Sequence, residues 1–438
     1  MGRANGVARR AVWVAMATAL ALVLAPPRLQ GGDLSVQLGL ALARAAPERM
    51  QGDLLLLAAP GRPGGAWWAH LPTMWVSAEQ TGVWLLALHI GTVALALHAL
   101  QGLRPLPARA GAILLILAAW PQPIGAAQLL FDPQPVHRAI AAPALWAGIG
   151  AALHGKPWRA GIFLGCGLWL HPSTGWVAGV AGVAAAGPRA LPGLVVGLLL
   201  VLRDRAGLPM WWALTRDESD LLRLRLGHHL DPLTWPTGPL LLTLGHLVLL
   251  RRWTRAAGRR WRRAALALTG ATALGVMAPW TGLGIALQLH GMYAELWVVG
   301  MSLPWAAEAV ARLRAPVGAL ALVLLLAGPW ALAGRPWPPT TAALPTRSAG
   351  ALHPEDDPWP RVAERRAAAF TLKDGGEIIT GPTFLHAWAE GLARACGPGA
   401  RAPLRAGEDW RGTVRVRRRC EAERSKAVRS QATPAPAP

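Results

Sequence analysis

The stretch PLLLTLGHLVLLRRWTRAAGRRWRRAALALTGATALGVM, residues 239–277, sets a basic knot between two apolar runs. Arg251, Arg252, Arg255, Arg259, Arg260, Arg262 and Arg263 fall inside it, and no acidic residue accompanies them. Two bilayer-crossing helices joined by a cytoplasmic loop read this way, because the cytoplasmic loops of multi-span proteins collect Lys and Arg. This one loop therefore sets the direction of the whole chain.

Working outward, apolar segments recur at 11–25, 82–100, 110–129, 139–154, 159–171, 174–187, 190–203, 236–250, 264–280, 288–311 and 315–333. Several fall short of the ~20 residues that cross a bilayer upright. With the N-terminus in the cytoplasm, the inner loops hold Arg104 with Arg109, Lys156 with Arg159, Arg189, the knot at 251–263, and Arg312 with Arg314. The outer side receives the longer loops 26–81 and 202–235 and the chain after residue 333. An error of one span would invert every later loop, so this agreement tests the count. The first apolar run follows Arg3, Arg9 and Arg10 and ends in Pro26-Pro27-Arg28 without a small-residue cleavage pattern, which favours a retained anchor over a removed signal.

Composition agrees. The 438 residues are 53% hydrophobic and 15% charged, with mean hydropathy +0.32, too little polar surface for a soluble globule of this size. The net charge of +21 is scattered through short loops rather than gathered on one face, so the expected partner is a lipid bilayer and not nucleic acid. The expected fold is an all-α polytopic membrane protein of about eleven spans with a small C-terminal α/β extracytoplasmic domain. Its parts are a membrane domain 1–333, a Pro-rich linker 334–358, the α/β unit 359–425 and a disordered tail 426–438. In the α/β unit, Trp359 to Phe370 and Thr383 to Cys396 read as helices, and Glu377 to Thr380 and Thr413 to Val416 as strands.

Three outer regions concentrate the polar chemistry. Loop 26–81 opens with Asp33 ahead of Leu34, Val36, Leu38, Leu40 and Leu42, the pattern of a capped helix lying in the membrane interface, and continues through Glu48, Asp53, Trp67, Trp68, His70 and Trp75. Loop 202–235 carries Trp211, Trp212, the acids Asp217, Glu218 and Asp220, and the sequence LGHHLDP with His228, His229 and Asp231. The third is FDPQPVHR, residues 131–138. Most of the 23 tryptophans sit at segment edges, where indole rings anchor spans at headgroup level.

FDPQPVHRAIAAPALWAGIGAALHGKPWRAGIFLGCGLWLHPSTG resembles the central block of a group of uncharacterised bacterial membrane proteins, in which an F-[ED]-P-R-like loop precedes two spans and a His-Pro-x-x-G motif. HHLDPLTW resembles the paired-histidine loop of that group, and Trp359 to Pro382 the start of its periplasmic domain. By layout the group is similar to the GT-C glycosyltransferases. That resemblance implies a bacterial inner-membrane location, a polyprenyl-phosphate sugar donor and an acidic residue in the first extracytoplasmic loop. Gln134 stands where the group more often has Arg, leaving Arg138 as the nearby cation for a phosphate. The adjacent Asp-Glu pair common in GT-C first loops has no counterpart here.

Each candidate has two readings. Asp33 is either the catalytic base of an inverting transfer or a helix cap. Asp53 is either a second acid, able to hold a divalent cation that neutralises the leaving phosphate, or a solvated carboxylate. His228 and His229 with Asp231 have the residue types of a metal or phosphate site, although adjacent histidines share one ion poorly on a regular element. His171 is either a substrate contact or a helix cap before Pro172 and Ser173. Glu295, with His290 before it, is an ionisable group within an apolar run, a functional position unless it lies at the interface. Cys396 and Cys420 fall in the oxidising compartment and are expected to pair, whereas Cys166 lies in a span.

No P-loop, dinucleotide fingerprint, Cys-x-x-Cys, HExxH or G-x-S-x-G occurs, so the chemistries those motifs support are not expected. Two rival functions stay open: a transporter or flippase of an envelope precursor, in which Glu295 outranks the loop acids, and a non-enzymatic assembly protein.

Overall fold

A computed structural model describes residues 2–27, 32–53, 55–58, 69–70, 72–73, 75–76, 78–120, 123–124, 128–204, 213–230, 237–278, 281, 283, 293–333, 382–402 and 412–432. The described chain is helical. Its helices are α1 (Gly2–Leu24), α2 (Gly32–Ala45), α3 (Leu55–Ala58), α4 (Ala78–Gln101), α5 (Ala108–Ala119), α6 (His137–Leu153), α7 (Pro157–Leu170), α8 (Pro172–Ala186) and α9 (Leu191–Asp204). They continue as α10 (Arg216–Leu230), α11 (Thr237–Thr254), α12 (Arg259–Met277), α13 (Ala294–Arg312), α14 (Ala315–Ala333), α15 (Pro382–Cys396) and α16 (Gly412–Ala432). A two-residue antiparallel pairing, β1 (Pro123–Ile124) with β2 (Gln128–Leu129), follows α5.

Among the described residues one helical stretch, Gln80–Gln101, is by itself long and apolar enough to cross a membrane. Shorter apolar stretches occupy Arg10–Leu24, Val36–Ala45, Ala108–Ala119 and Ala315–Pro329. The apolar segment expected at 110–129 ends as a helix at Ala119, because Pro121 and Pro123 withdraw the backbone donors a continuing helix needs.

α13 is the central post. Its residues from Ala294 to Pro304 are all buried, and Trp297 meets Trp146 of α6 edge to face at 4.5 Å. Trp146 in turn fills the space beside Gly300, where no Cβ would fit. Around this post the helices turn many large apolar side chains outward, among them Val23, Leu95, Ile162, Val196, Leu244, Leu274 and Leu324.

α7 and α9 pack backbone against backbone. Gly161 and Gly165 on α7 face Gly193 and Gly197 on α9, two G-x-x-x-G spacings in contact. A Cβ on Gly165 would run into the Gly193 carbonyl, and one on Gly197 into Gly165. Small residues at this spacing let two helix backbones approach closely.

The basic turns gather at one end of the bundle. Arg104 pairs with Glu308 at 2.5 Å and lies 3.6 Å over the Trp305 ring, while Glu308 also holds Arg312. Arg109 Nη2 donates to the Leu313 carbonyl at 3.4 Å, and His154 Nε2 stands 2.8 Å from the Gly102 carbonyl. The Arg260 guanidinium seats against Gly155. Thus the turns after α4, α6, α11 and α13 meet.

The opposite end carries a second core. α2 was expected to lie in the membrane interface, but it is buried on every side from Val36 to Ala43, a run apolar but for Gln37. Leu34 and Leu38 pack on Leu85 and Val136, while Val36, Leu40 and Leu42 join Leu222, Leu226, Phe384, Trp388 and Val416 from α10, α15 and α16. The C-terminal helices therefore sit on the long loops. α10 itself is a helix within a segment read from sequence as loop, started by a capping box: Thr215 N–H reaches Glu218 Oε2 at 2.8 Å and Glu218 N–H reaches Thr215 Oγ1 at 3.2 Å.

The C-terminal unit corrects the expected α/β domain. Thr413 to Val416 is the first turn of α16 and not a strand, and that helix runs through Ala432, past the boundary set for a disordered tail at residue 426. Local β-propensity of the Thr-Val-Arg-Val run yields to packing: Val416 is buried, and the Cys396–Cys420 disulfide, with Cα atoms 4.6 Å apart, ties α16 to α15. Further along, Glu423 pairs with Lys426 at 2.5 Å, and Arg424 Nε donates to the Ala395 carbonyl at 3.1 Å. The linker 334–358, the helix 359–370, the strand 377–380 and residues 433–438 lie outside the described residues.

Candidate functional site

Two of the three polar regions meet where α2, α4 and α6 begin. Gln37, buried in α2, accepts the backbone N–H of His137 at 2.8 Å. This bond satisfies a donor in the first turn of α6 and fixes α2 across the FDPQPVHR loop. The loop is braced from within, since Asp132 Oδ1 accepts the Gln134 N–H at 3.0 Å and Oδ2 forms an ion pair with Arg138. Arg138, expected to be the cation for a phosphate, has its charge matched by a neighbour six residues away.

The first loop reaches the same corner through His70. Its ring stacks on His137 with centroids 5.6 Å apart and planes inclined by 22°. Trp84 Nε1 of α4 donates to the Ala69 carbonyl at 3.0 Å, and Thr73 Oγ1 donates to the His70 carbonyl at 2.6 Å. The His70 imidazole is fully buried, and neither ring nitrogen has a hydrogen-bond partner among the described residues. Burial without a compensating acceptor disfavours the imidazolium and pulls the His70 pKa down to about 4. Beside this corner, His89, Phe131, Asp132, Trp120 and Ala25, just past α1, line a small hollow with room for about one water molecule.

Asp33 is the second residue of α2, in the helix expected after the first apolar run, and its side chain lies outside the described residues. Asp53 is buried and its Oδ1 accepts the Leu55 N–H at 2.9 Å, capping α3. His228 and His229 fall in the last turn of α10, with side chains outside the described residues, as is Asp231 altogether. α10 packs on α15 and α16, where His386 Nε2 lies 3.2 Å from Glu218 Oε1.

The remaining two candidates occupy other places. His171 ends α7 and caps α8: its Nδ1 accepts the Thr174 N–H at 3.3 Å and stands 2.9 Å from the Thr174 hydroxyl. Tyr293 meets it edge to face, and Trp297 Nε1 donates to the Thr174 carbonyl at 3.2 Å, so the His-Pro-Ser-Thr-Gly turn docks on α13. Glu295, buried in the first turn of α13, accepts the Thr243 hydroxyl of α11 at 2.7 Å. His290 lies outside the described residues. Among the described residues no group of three or more His, Cys, Asp or Glu is placed to hold a metal ion.

Sequence reading passed over Gln37, His70, Asp132 and His137 as site residues. Asp132 and His137 carried a signal, the acid and histidine of FDPQPVHR, but the stacking of His70 on a ring 67 positions away is a product of folding alone. The chain matches no known family model, curated protein or solved structure.

Proposed function

We propose that this chain is a multi-span protein of the bacterial cytoplasmic membrane, GT-C-like in layout, that transfers a sugar from a polyprenyl-phosphate donor to an envelope acceptor at the outer face. Eleven helices, α1, α4–α9 and α11–α14, are the spans of this reading. Their outward apolar side chains, the G-x-x-x-G contact of α7 with α9 and the collection of arginines at one end all support it.

The observation that carries the function is the setting of α2. It follows the first apolar helix, carries Asp33 in its first turn, and is clamped between the starts of α4 and α6 on one side and the α10, α15 and α16 cover on the other. An acid held there stands at the outer membrane edge, where a lipid-linked phosphate and a soluble acceptor meet. In the reaction the Asp33 carboxylate takes the proton of the acceptor hydroxyl as that oxygen bonds to the anomeric carbon. The carbon–oxygen bond to the phosphate breaks, and the polyprenyl phosphate leaves with the electron pair.

The test is transfer of labelled sugar from a short-chain polyprenyl-phosphate hexose by the full chain in vesicles. Asp33→Asn keeps any capping role while removing the base, so the rate should fall about 100-fold or more with unchanged thermal stability. Asp53→Asn, at a helix cap, should leave the rate within about twofold. Full activity of Asp33→Asn would remove Asp33 from catalysis, and absence of transfer by the wild-type chain would leave the assembly reading in its place.

A second reading rests on Glu295. A buried carboxylate bridging two helices through Thr243 is a costly arrangement for a bilayer-spanning bundle and is the residue a carrier would use. Flux of a lipid-linked sugar across vesicles, lost in Glu295→Gln and kept in Asp33→Asn, would favour transport over transfer.

A further inference from the structure

The turn between α11 and α12 is a densely basic surface. All seven arginines between Arg251 and Arg263 are exposed, and none of them is ion-paired among the described residues. The carboxylate described at this end, Glu308, is already shared by Arg104 and Arg312. A single basic loop needs no more than the positive-inside rule to account for it. Here, however, a second turn is joined to the first.

Gly155, at φ +71°, ends the turn after α6, and the Arg260 guanidinium lies against it so closely that a Cβ there would stand 2.5 Å from Nη2. The side chains on either side, Lys156 and Arg159 on one turn and Arg259 and Arg263 on the other, are all exposed. Cations from two separate turns are thus brought to one place with no acid between them, and like charges held together need an anion from outside. Just beyond, the same helices present outward apolar side chains: Ile162 and Phe163 on α7, Leu266 on α12. A nucleic acid or acidic protein would use the charges and leave that adjoining apolar surface unused; a molecule with a phosphate head and hydrocarbon tails covers both.

We propose that the two turns form a binding site for the headgroup of an anionic phospholipid in the cytoplasmic leaflet, with Arg260, seated on Gly155, as the cation that holds the turns together. The proposal rests on the membrane reading given above and adds to it a specific lipid class and place. Basic residues beside a bilayer contribute additively to anionic lipid binding, and basic pockets between helices on the cytoplasmic side suit such headgroups.

The experiment uses the full chain in detergent, with phosphatidylglycerol or phosphatidylcholine added, and native mass spectrometry to count retained lipids. Vesicle flotation is run in parallel. The wild-type chain should retain phosphatidylglycerol in preference, with the preference falling as salt rises. The variant R259Q/R260Q/R263Q should lose that preference by about tenfold or more while still floating with vesicles. Gly155→Leu, which displaces Arg260 without removing a charge, should weaken it by a smaller factor. Retention of the full preference in both variants would overturn the site. So would binding of a 20-base-pair duplex to the chain in phosphatidylcholine vesicles with the same arginine dependence, since the anion would then be nucleic acid. If the chain floats with vesicles of neither composition, the membrane reading itself falls, a result distinct from loss of lipid preference in a chain that floats.

Discussion

Lowering the pH should loosen the corner where α2, α4 and α6 begin, and His70 is the group that makes it do so. Its folded pKa is about 4 against an ordinary value of 6.5, because burial desolvates the ring and neither nitrogen has a hydrogen-bond partner among the described residues. Above pH 6.5 the ring is neutral in both folded and unfolded chains, so it adds no pH dependence there. As pH falls below 6.5 the unfolded chain takes up a proton that the folded one refuses, and stability is lost through the window down to about pH 4. Linkage for one such group gives a loss of about 2 kcal/mol by pH 5 and a limit of about 3 kcal/mol, from 1.36 kcal/mol per pKa unit. The assay is thermal unfolding of the detergent-solubilised chain between pH 7.5 and pH 4.5, for wild type and His70→Phe. Phe keeps an aromatic face for His137 and cannot take a proton, so the difference between the two stability curves isolates His70 from every other titrating group. The difference should grow steadily below pH 6.5 in favour of the variant. Parallel curves would refute the reasoning and mean that the imidazole finds a proton acceptor in the folded chain.

Three further outcomes follow. A phosphatase fused after Arg260 should be inactive and one fused after Arg335 active, and the reverse would invert the membrane reading. Gly165→Val should force α7 from α9, lowering thermal stability by the equivalent of about 2 kcal/mol or more, whereas Gly270→Val, at a position open around its Cα, should cost far less at matched expression. Cys420→Ser should free a loop of 24 residues and destabilise the α15–α16 unit by about 3 kcal/mol, seen as faster proteolysis after Arg401 with the bundle intact.

The helical segments were legible in the sequence to within a few residues wherever an apolar run was bounded by Arg, Gly or Pro, as at α6, α7, α8 and α14. Reading failed where local pattern and packing disagreed. Thr413 to Val416 has strand-like residues but lies in a helix tied by a disulfide. The helix α10 announced itself through Thr215 and Glu218, a capping pair hidden by the acidic run around it. In the candidate site, the position of Asp33 at the head of a helix could be read from one segment. The Gln37–His137 bond and the His70–His137 stack could not, because each joins residues whose meeting depends on how α2, α4 and α6 pack.

The helices α7, α8 and α9 contain 14, 15 and 14 residues, about 21 to 23 Å of length at 1.5 Å per residue. A hydrocarbon layer of about 30 Å cannot match them without yielding. In the membrane reading the bilayer therefore pinches beside these three helices, each leaflet drawn in by roughly 4 Å, at a fraction of a kcal/mol per ångström of mismatch. The turn at His171 then meets the phosphate plane rather than standing clear of it, and a lipid entering from that side arrives with its tails already compressed and its headgroup lowered toward the centre of the protein.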